Sequence, residues 1–369
     1  MKRAAQLILN LGITFGCFWW TFKDTDWDKL WHSLTTANYW WLVPYLGILF
    51  LIHLARTLRW GHWLSAQERM SFKKLNEAAG IGFMMLIILP FRLGEFARPF
   101  LIAQRSKVRR SAAMTSVVLE RIIDGVIIAV LLRVLLTFLD VDALVAGLDE
   151  ESRKTVLTSL GRITIGANVM FAVFGGGALF LVFAAWKQEL AVQLIQATAG
   201  RFSKGLSEKV AYIVNGFVGA LRQMPSRKDV FFFFFFTAAY WLLNGWGMTV
   251  VSRAFDCSNA VVAGCQPMQL SLYQAFTVLC VLIVGMMIPA APGSAGTFQA
   301  FIMLALYIFF PKNVVDNTGN AYANVLWISQ LAQQILYGLV LMVWSRQTFK
   351  DMVGHMQEDP APAASSQAA

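Results

Sequence analysis

Two short stretches carry charged side chains at helical spacing inside apolar sequence. In PFRLGEFARPF, residues 90–100, Arg92, Glu95 and Arg98 recur at every third position. On a helix each step of three turns the direction by only about −60°, so the three share one face. In VVLERIIDGVII, Glu120 and Asp124 are four apart and share a face, with Arg121 beside them. Arginine presents a planar fork suited to phosphate oxygens, and a neighbouring carboxylate can orient it or carry a proton. A charge at the centre of a membrane-crossing helix costs roughly 2.5–3.5 kcal/mol on insertion scales, so six of them cannot face lipid. Facing one another, three of each sign cancel. Such a set either lines a path for an anionic group or only ties the first stretch to the second. Buried ion pairs stabilise poorly beside apolar packing, so the binding reading leads.

A third stretch, IPAAPGSAGTFQAF, holds Pro289, Pro292, Gly293, Ser294 and Gly296, which interrupt any helix. Its freed amides and the helix start near Thr297 suit an anion, or the stretch is a plain turn between helices. Asn244, Gln330, Gln333 and Gln334 are further polar groups in apolar runs, where such residues usually bond between helices.

These residues need a membrane-spanning frame. Hydrophobic residues make up 57% of the 369, and charged ones only 14%, against about half and a quarter in soluble domains. The apolar excess lies in long blocks, so the expected fold is an all-α polytopic membrane protein. Six runs read as full crossings: 5–22, 39–58, 112–139, 160–186, 230–252 and 321–344. Two more, 75–103 and 268–310, are broken in the middle. The net charge of +10 does not point to nucleic acid, because the basic residues cluster between apolar blocks as cytoplasmic loops do. Starting the N-terminus inside puts Arg56, Arg59, Arg69, Lys73 and Lys74 in a cytoplasmic loop, and seven Lys/Arg in loop 187–229. Residues 91–110 hold six Lys/Arg, so 75–103 must enter and leave on the cytoplasmic side as a re-entrant hairpin. Region 268–310 becomes a second hairpin entered from the opposite face, unless it is a pair of ordinary kinked helices. About eight membrane segments and an inverted repeat follow, with irregular backbone buried or lining a cavity. The expected location is the cell (inner) membrane, with both termini cytoplasmic. The domain spans 1–345; the Pro/Ala/Ser-rich 346–369 reads as a disordered tail.

Smaller features fill in the edges. The first run has no small-x-small cleavage site and reads as an uncleaved helix. Trp27, Leu30, Trp31 and Leu34, and separately 206–221, have the spacing of interfacial helices, and Trp19, Trp20, Trp40 and Trp41 read as an aromatic belt. Phe231 to Phe236 read as lipid-facing bulk. Cys17 and Cys280 read as packing residues; Cys257 and Cys265 share one loop and could pair if it is extracytoplasmic. No metal-binding Cys/His spacing and no Walker motif occurs, so no metal or cofactor is expected. Gly12 and Gly16 have the spacing of a helix-packing motif, within one chain or in a homo-oligomer.

LPFRLGEFARPFLI, LERIIDG and IPAAPGSAGTF, in this order, resemble the transmembrane family named after the flippase half of lysylphosphatidylglycerol synthases. The resemblance covers roughly 5–345. It implies a flippase-like protein, and places family motif positions at Pro90, Arg92, Gly94, Glu95 and Arg98, at Glu120, Arg121 and Asp124, and at Pro292, Gly293, Gly296 and Phe298. Some relatives carry an acid where this chain has Gln299; if that acid binds a cationic head group, the substrate here is uncharged or anionic. The synthase domain of the bifunctional relatives does not follow, so no lysyl-lipid synthesis is expected.

The leading reading is a lipid translocase rather than an enzyme, its partner the head group of a phospholipid or a polyprenyl-linked lipid. Arg92, Arg98 and Arg121 would hold the phosphate, Glu95, Glu120 and Asp124 would orient them, and the breaks at Pro292, Gly293 and Gly296 would gate the site. One alternative is a polyprenyl-phosphate-sugar glycosyltransferase using Asp24, Asp26 and Asp28, although Thr25-x-x-Asp28 reads more readily as a capping box. The other is an accessory subunit that recruits a cytoplasmic lipid-modifying enzyme through 187–229.

Overall fold

The structure is a computed structural model and describes residues 12, 15–17, 19–23, 25–89, 94–199, 225–255, 267–288 and 292–345. Pro90, Arg92, Cys257, Cys265, the stretch 206–221, most of the first run and the tail lie outside the described residues. Every element assigned among the described residues is helical. The main helices are α1 (Trp27–Thr36), α2 (Leu42–Leu64), α3 (Phe72–Ile88), α4 (Ala97–Arg105) and α5 (Arg110–Thr137). They are followed by α6 (Glu150–Trp186), α7 (Arg227–Ser252), α8 (Leu272–Met286), α9 (Thr297–Leu306) and α10 (Asn320–Trp344).

Four helical stretches are long and apolar enough to cross a membrane: Tyr39–Leu64, Glu150–Trp186, Arg227–Phe255 and Lys312–Trp344. Together with the run of apolar helices around them, they make this a multi-pass membrane protein. Helix α5 has 28 residues, about 42 Å at 1.5 Å per residue. It is long enough to span, but Glu120, Arg121, Asp124 and Arg133 keep it out of the purely apolar set. From Ile163 onward helix α6 carries no charged residue, and it is open to its surroundings at Ile165, Val169 and Leu179, as a lipid-facing helix is.

Side-chain caps set several helix starts. Asp149 accepts from the Ser152 N–H, Ser226 from the Asp229 N–H, and Ser271 with Gln274 forms a reciprocal capping box at α8. Asp26 caps α1 by accepting from the Asp28 and Lys29 amides. The cap is therefore Asp26 and not Thr25, whose hydroxyl donates to the carbonyls of Thr21 and Asp316. Leu30 is buried under α1, while Trp27 and Trp31 stay exposed, as an interfacial helix requires.

Two boundaries differ from the sequence expectation. Helix α2 runs on to Leu64, so Arg56 and Arg59 belong to a helix and not to a cytoplasmic loop. Trp60 and Leu64 continue its buried face, and Arg59, next to Trp60, is buried with them. The expected outer loop 311–320 is helical and includes a π-helical turn at Val315–Gly319. There Asp316 accepts from Tyr307 Oη (2.5 Å) and Lys312 Nζ (3.1 Å), and Asn320 donates to Thr25 Oγ1 (3.0 Å). These bonds make burial of the polar residues tolerable and pin the start of α10 to the segment before α1.

Both broken runs form helix–break–helix units. Helices α3 and α4 pack together across a break with a 3-10 turn at 94–96. Glycine makes that contact possible: a Cβ on Gly94 would lie 2.1 Å from the Leu86 nitrogen, and one on Gly82 would lie 2.7 Å from Arg98 Cβ. Helices α8 and α9 pack likewise, with Phe301 against Gly285. Their break contains a 3-10 turn at Pro292–Ser294, with left-handed backbone at Gly293 (φ 66°), Ser294 (φ 54°) and Gly296 (φ 79°). Two apolar cores form, a smaller one around α3 and α4 and a larger one around α8, α9 and α10.

Candidate functional site

The two breaks meet. Gly293, at the tip of the second, approaches Ile87 at the end of α3 and Leu331 on α10. Between them lies a cavity of about 380 Å³ lined by residues from both, a size within the ~300–1,000 Å³ typical of small-molecule sites. Its polar lining includes Arg56, Glu95, Arg121, Asp124 and Ser294, together with Asn244, Gln330, Gln333 and Gln334. Of the four amides, Gln330 donates to Tyr45 Oη (3.0 Å) across helices, and Asn244 donates to the Tyr240 carbonyl within its own helix.

The charged residues of the first two motifs do come together, with partners the sequence reading did not assign. Arg98 Nη2 donates to Glu120 Oε2 at 2.5 Å, and both side chains are buried. The Arg98 guanidinium lies over the Trp60 ring at 4.6 Å and near Phe83 at 5.3 Å. Arg98 and Glu120 are thus enclosed behind the cavity and do not line it. Arg121 pairs with Glu95 at 3.5 Å, with both side chains partly open. Among the described residues, Asp124 pairs with neither Arg98 nor Arg121. It accepts two parallel bonds from Arg59, of 2.7 and 3.0 Å, while Arg59 Nε faces Glu120 Oε1 at 3.6 Å. By sequence Arg59 falls just past the apolar run 39–58, among the Lys/Arg that mark a cytoplasmic loop. The signal that places it in the helix is the apolar RWGHWL that continues the period beyond it. Arg92 lies outside the described residues.

The third motif divides. Pro292 and Gly293 line the cavity. Gly296 does not; it is the N-cap of α9, and its N–H donates to Gln299 Oε1 at 2.9 Å. The expected anion site at this helix start is therefore closed by the protein's own side chain. Gln299 is buried, bonds Asn324 as well, and does not face the cavity, so its identity does not report on head-group charge. The run of phenylalanines is not uniform bulk: Phe233 is buried against Trp63 and Arg59, and His62 stacks on Phe232 and Phe236.

A second, larger space adjoins the first. This groove of about 870 Å³ is mostly apolar, lined by Val169, Val173, Phe174, Val284, Phe301 and Leu304 among others, with Arg162 its one charged lining residue among the described residues. Met170 and Met287 line both the groove and the polar cavity.

Comparison with known proteins gives one match. No curated protein and no solved structure matches the chain. The profile of the family described as "Lysylphosphatidylglycerol synthase TM region" matches residues 7–315, a span that contains both broken hairpins and the whole charged cluster. The chain therefore belongs to the lysylphosphatidylglycerol synthase transmembrane-region family.

Proposed function

We propose that this protein is a lipid translocase that moves a phosphate-bearing lipid between leaflets. The observation that carries the reading is the meeting of a polar cavity and a larger apolar groove at Met170 and Met287. A soluble solute needs only the first. An amphiphile needs both, one for the head group and one for the chain, and the flexible methionines at the junction can part for it. Membership of a family tied to lipid processes supports the same reading.

In this reading Arg121 and the second break at Pro292 and Gly293 receive the head group, with Glu95 and Asp124 orienting the arginines. Arg98 and Glu120 hold the wall behind them. The two hairpins enter the inner membrane from opposite faces as halves of an inverted repeat, and both termini lie in the cytoplasm, as the Lys/Arg distribution supports. The outer aspartates support sugar transfer poorly, because Asp26 is occupied as a helix cap and pairs with Lys29 at 3.1 Å.

Mass spectrometry of lipids that co-purify in mild detergent tests this, for wild type and for Arg121→Gln after a thermal melt confirms that both are folded. Enrichment of one phosphate-bearing class, lost in the variant, is expected. A lipid profile equal to the bulk membrane in both proteins would overturn the reading and favour an accessory role.

A further inference from the structure

Arg56 is the residue in the cavity that the pairing scheme leaves over. It lies on α2, one turn before Arg59, and lines the polar cavity with Arg121. Arg121 has Glu95, Arg59 has Asp124, and Arg98 has Glu120. Among the described residues no carboxylate lies within ion-pair distance of Arg56. Its guanidinium instead rests on the Phe83 ring, 3.4 Å from the centroid, with the Tyr240 ring at 5.7 Å. Aromatic faces hold a cation in place without neutralising it. The described cluster therefore contains Arg56, Arg59, Arg98 and Arg121 against Glu95, Glu120 and Asp124, with one positive charge in excess.

An uncompensated charge within a membrane-spanning bundle is costly unless an opposite charge meets it. The five N–H donors of Arg56 are free of hydrogen bonds among the described residues, so a ligand oxygen has no competitor to displace. We infer that Arg56 is the anchor for the anionic group of the ligand, and that the ligand is an amphiphile with an anionic head group, of the phosphodiester type. This rests on the reading that the cavity receives a head group, and it deepens that reading by assigning the charge. Phe83 and Tyr240 act as positioning residues, because they fix the plane of the fork.

Binding in detergent tests the assignment independently of transport. The probes are dioctanoyl phosphatidylglycerol, dioctanoylglycerol with the same chains and no phosphate, and inorganic phosphate. Wild type is expected to prefer the phosphodiester at least tenfold over dioctanoylglycerol, with inorganic phosphate competing only at much higher concentration. Arg56→Gln should lose that preference while still binding the chains, and Arg56→Lys should retain part of it. Should Arg56→Gln fail to fold, Gln334→Glu leaves Arg56 in place, adds a negative charge to the same lining, and should also reduce the preference about tenfold. Equal binding of the two lipids by wild type, or a tenfold preference that survives Arg56→Gln, or Gln334→Glu where Arg56→Gln does not fold, would overturn the assignment. Inorganic phosphate binding as tightly as the lipid would overturn the amphiphile and leave a plain anion site. A protein that binds through Arg56 yet exchanges no lipid would sink the translocase reading alone.

Discussion

Arg59 and Asp124, 65 residues apart in the chain, grip each other through two parallel hydrogen bonds of 2.7 and 3.0 Å. The pair joins α2 to α5 at the cavity wall, which Asp124 lines, and Glu120 on the next turn toward the N-terminus links it to Arg98. Two helices and one hairpin arm are thereby fixed by four side chains. Removing one member of a buried pair leaves its partner charged and unmatched, at a cost of roughly 3–5 kcal/mol. Asp124→Asn should therefore lower the thermal midpoint by many degrees, while Arg59→Met/Asp124→Leu should recover much of the loss. A midpoint for Asp124→Asn within a degree of wild type would show that the pair is not a tie.

The first hairpin depends on the missing side chain of Gly94, where a Cβ would collide with the backbone of Met85 and Leu86. Backbone cannot step aside as a flexible side chain does, so Gly94→Ala should cost about 1–3 kcal/mol or more by overpacking. Gly12→Ala is the control, because a Cβ there meets nothing within 4 Å. Equal thermal midpoints for the two variants would contradict the packing described for α3 and its partner arm.

Much of the fold could be read from the chain. Proline, glycine and serine in IPAAPGSAGTF announce a helix break because their backbone preferences are local, and the break is found there. That the charges of the first two motifs seek opposite charges was legible, because a lone charge facing lipid is costly, and Arg98–Glu120 and Arg121–Glu95 are found paired. Which partner each would take was not. Pairing depends on which helices adjoin, and Arg59, on a helix read as ending one residue earlier, takes Asp124, one of the carboxylates expected to orient the motif arginines. Gln299 misled for a similar reason: only the folded turn shows that it caps Gly296. The cavity itself, assembled from α2, α5, α7, α10 and both breaks, has no local signature at all.

Asp26 offers a test away from the membrane interior. Its hydrogen bond with the Lys29 side chain, followed by those with the Lys29 and Asp28 amides, holds its pKa below the ordinary 3.8. A depressed folded-state pKa stabilises the fold above the unfolded value, and that contribution is lost as pH falls through the folded one. Asp26→Ala should thus lower the thermal midpoint at pH 7, and the difference from wild type should shrink as pH drops below 3.8. Asp26→Asn, which can still cap the helix, should fall between the two at pH 7. A difference that grows on acidification would contradict the cap.

Arg98 and Arg121 should separate stability from function. Arg98 is buried and bonded to Glu120, so Arg98→Gln should lower the thermal midpoint markedly. Arg121 is partly open and 3.5 Å from Glu95, and pairs of that kind are worth only about 0–1 kcal/mol. Arg121→Gln should melt close to wild type yet lose enrichment of the bound lipid by tenfold or more. A reversed pattern would mean that the cavity wall and the binding surface have been exchanged.

Leaflet exchange in reconstituted vesicles tests the central claim most directly. Vesicles containing head-group-labelled phosphatidylglycerol are prepared with wild type, with folded Arg121→Gln and with no protein, and label accessible from outside is followed over time after quenching. Wild type should speed the appearance of inner-leaflet label at least tenfold over protein-free vesicles, and Arg121→Gln should return it to the protein-free rate. Wild-type vesicles no faster than protein-free ones, with labelled phosphatidylglycerol and with a labelled polyprenyl phosphate alike, would contradict translocation.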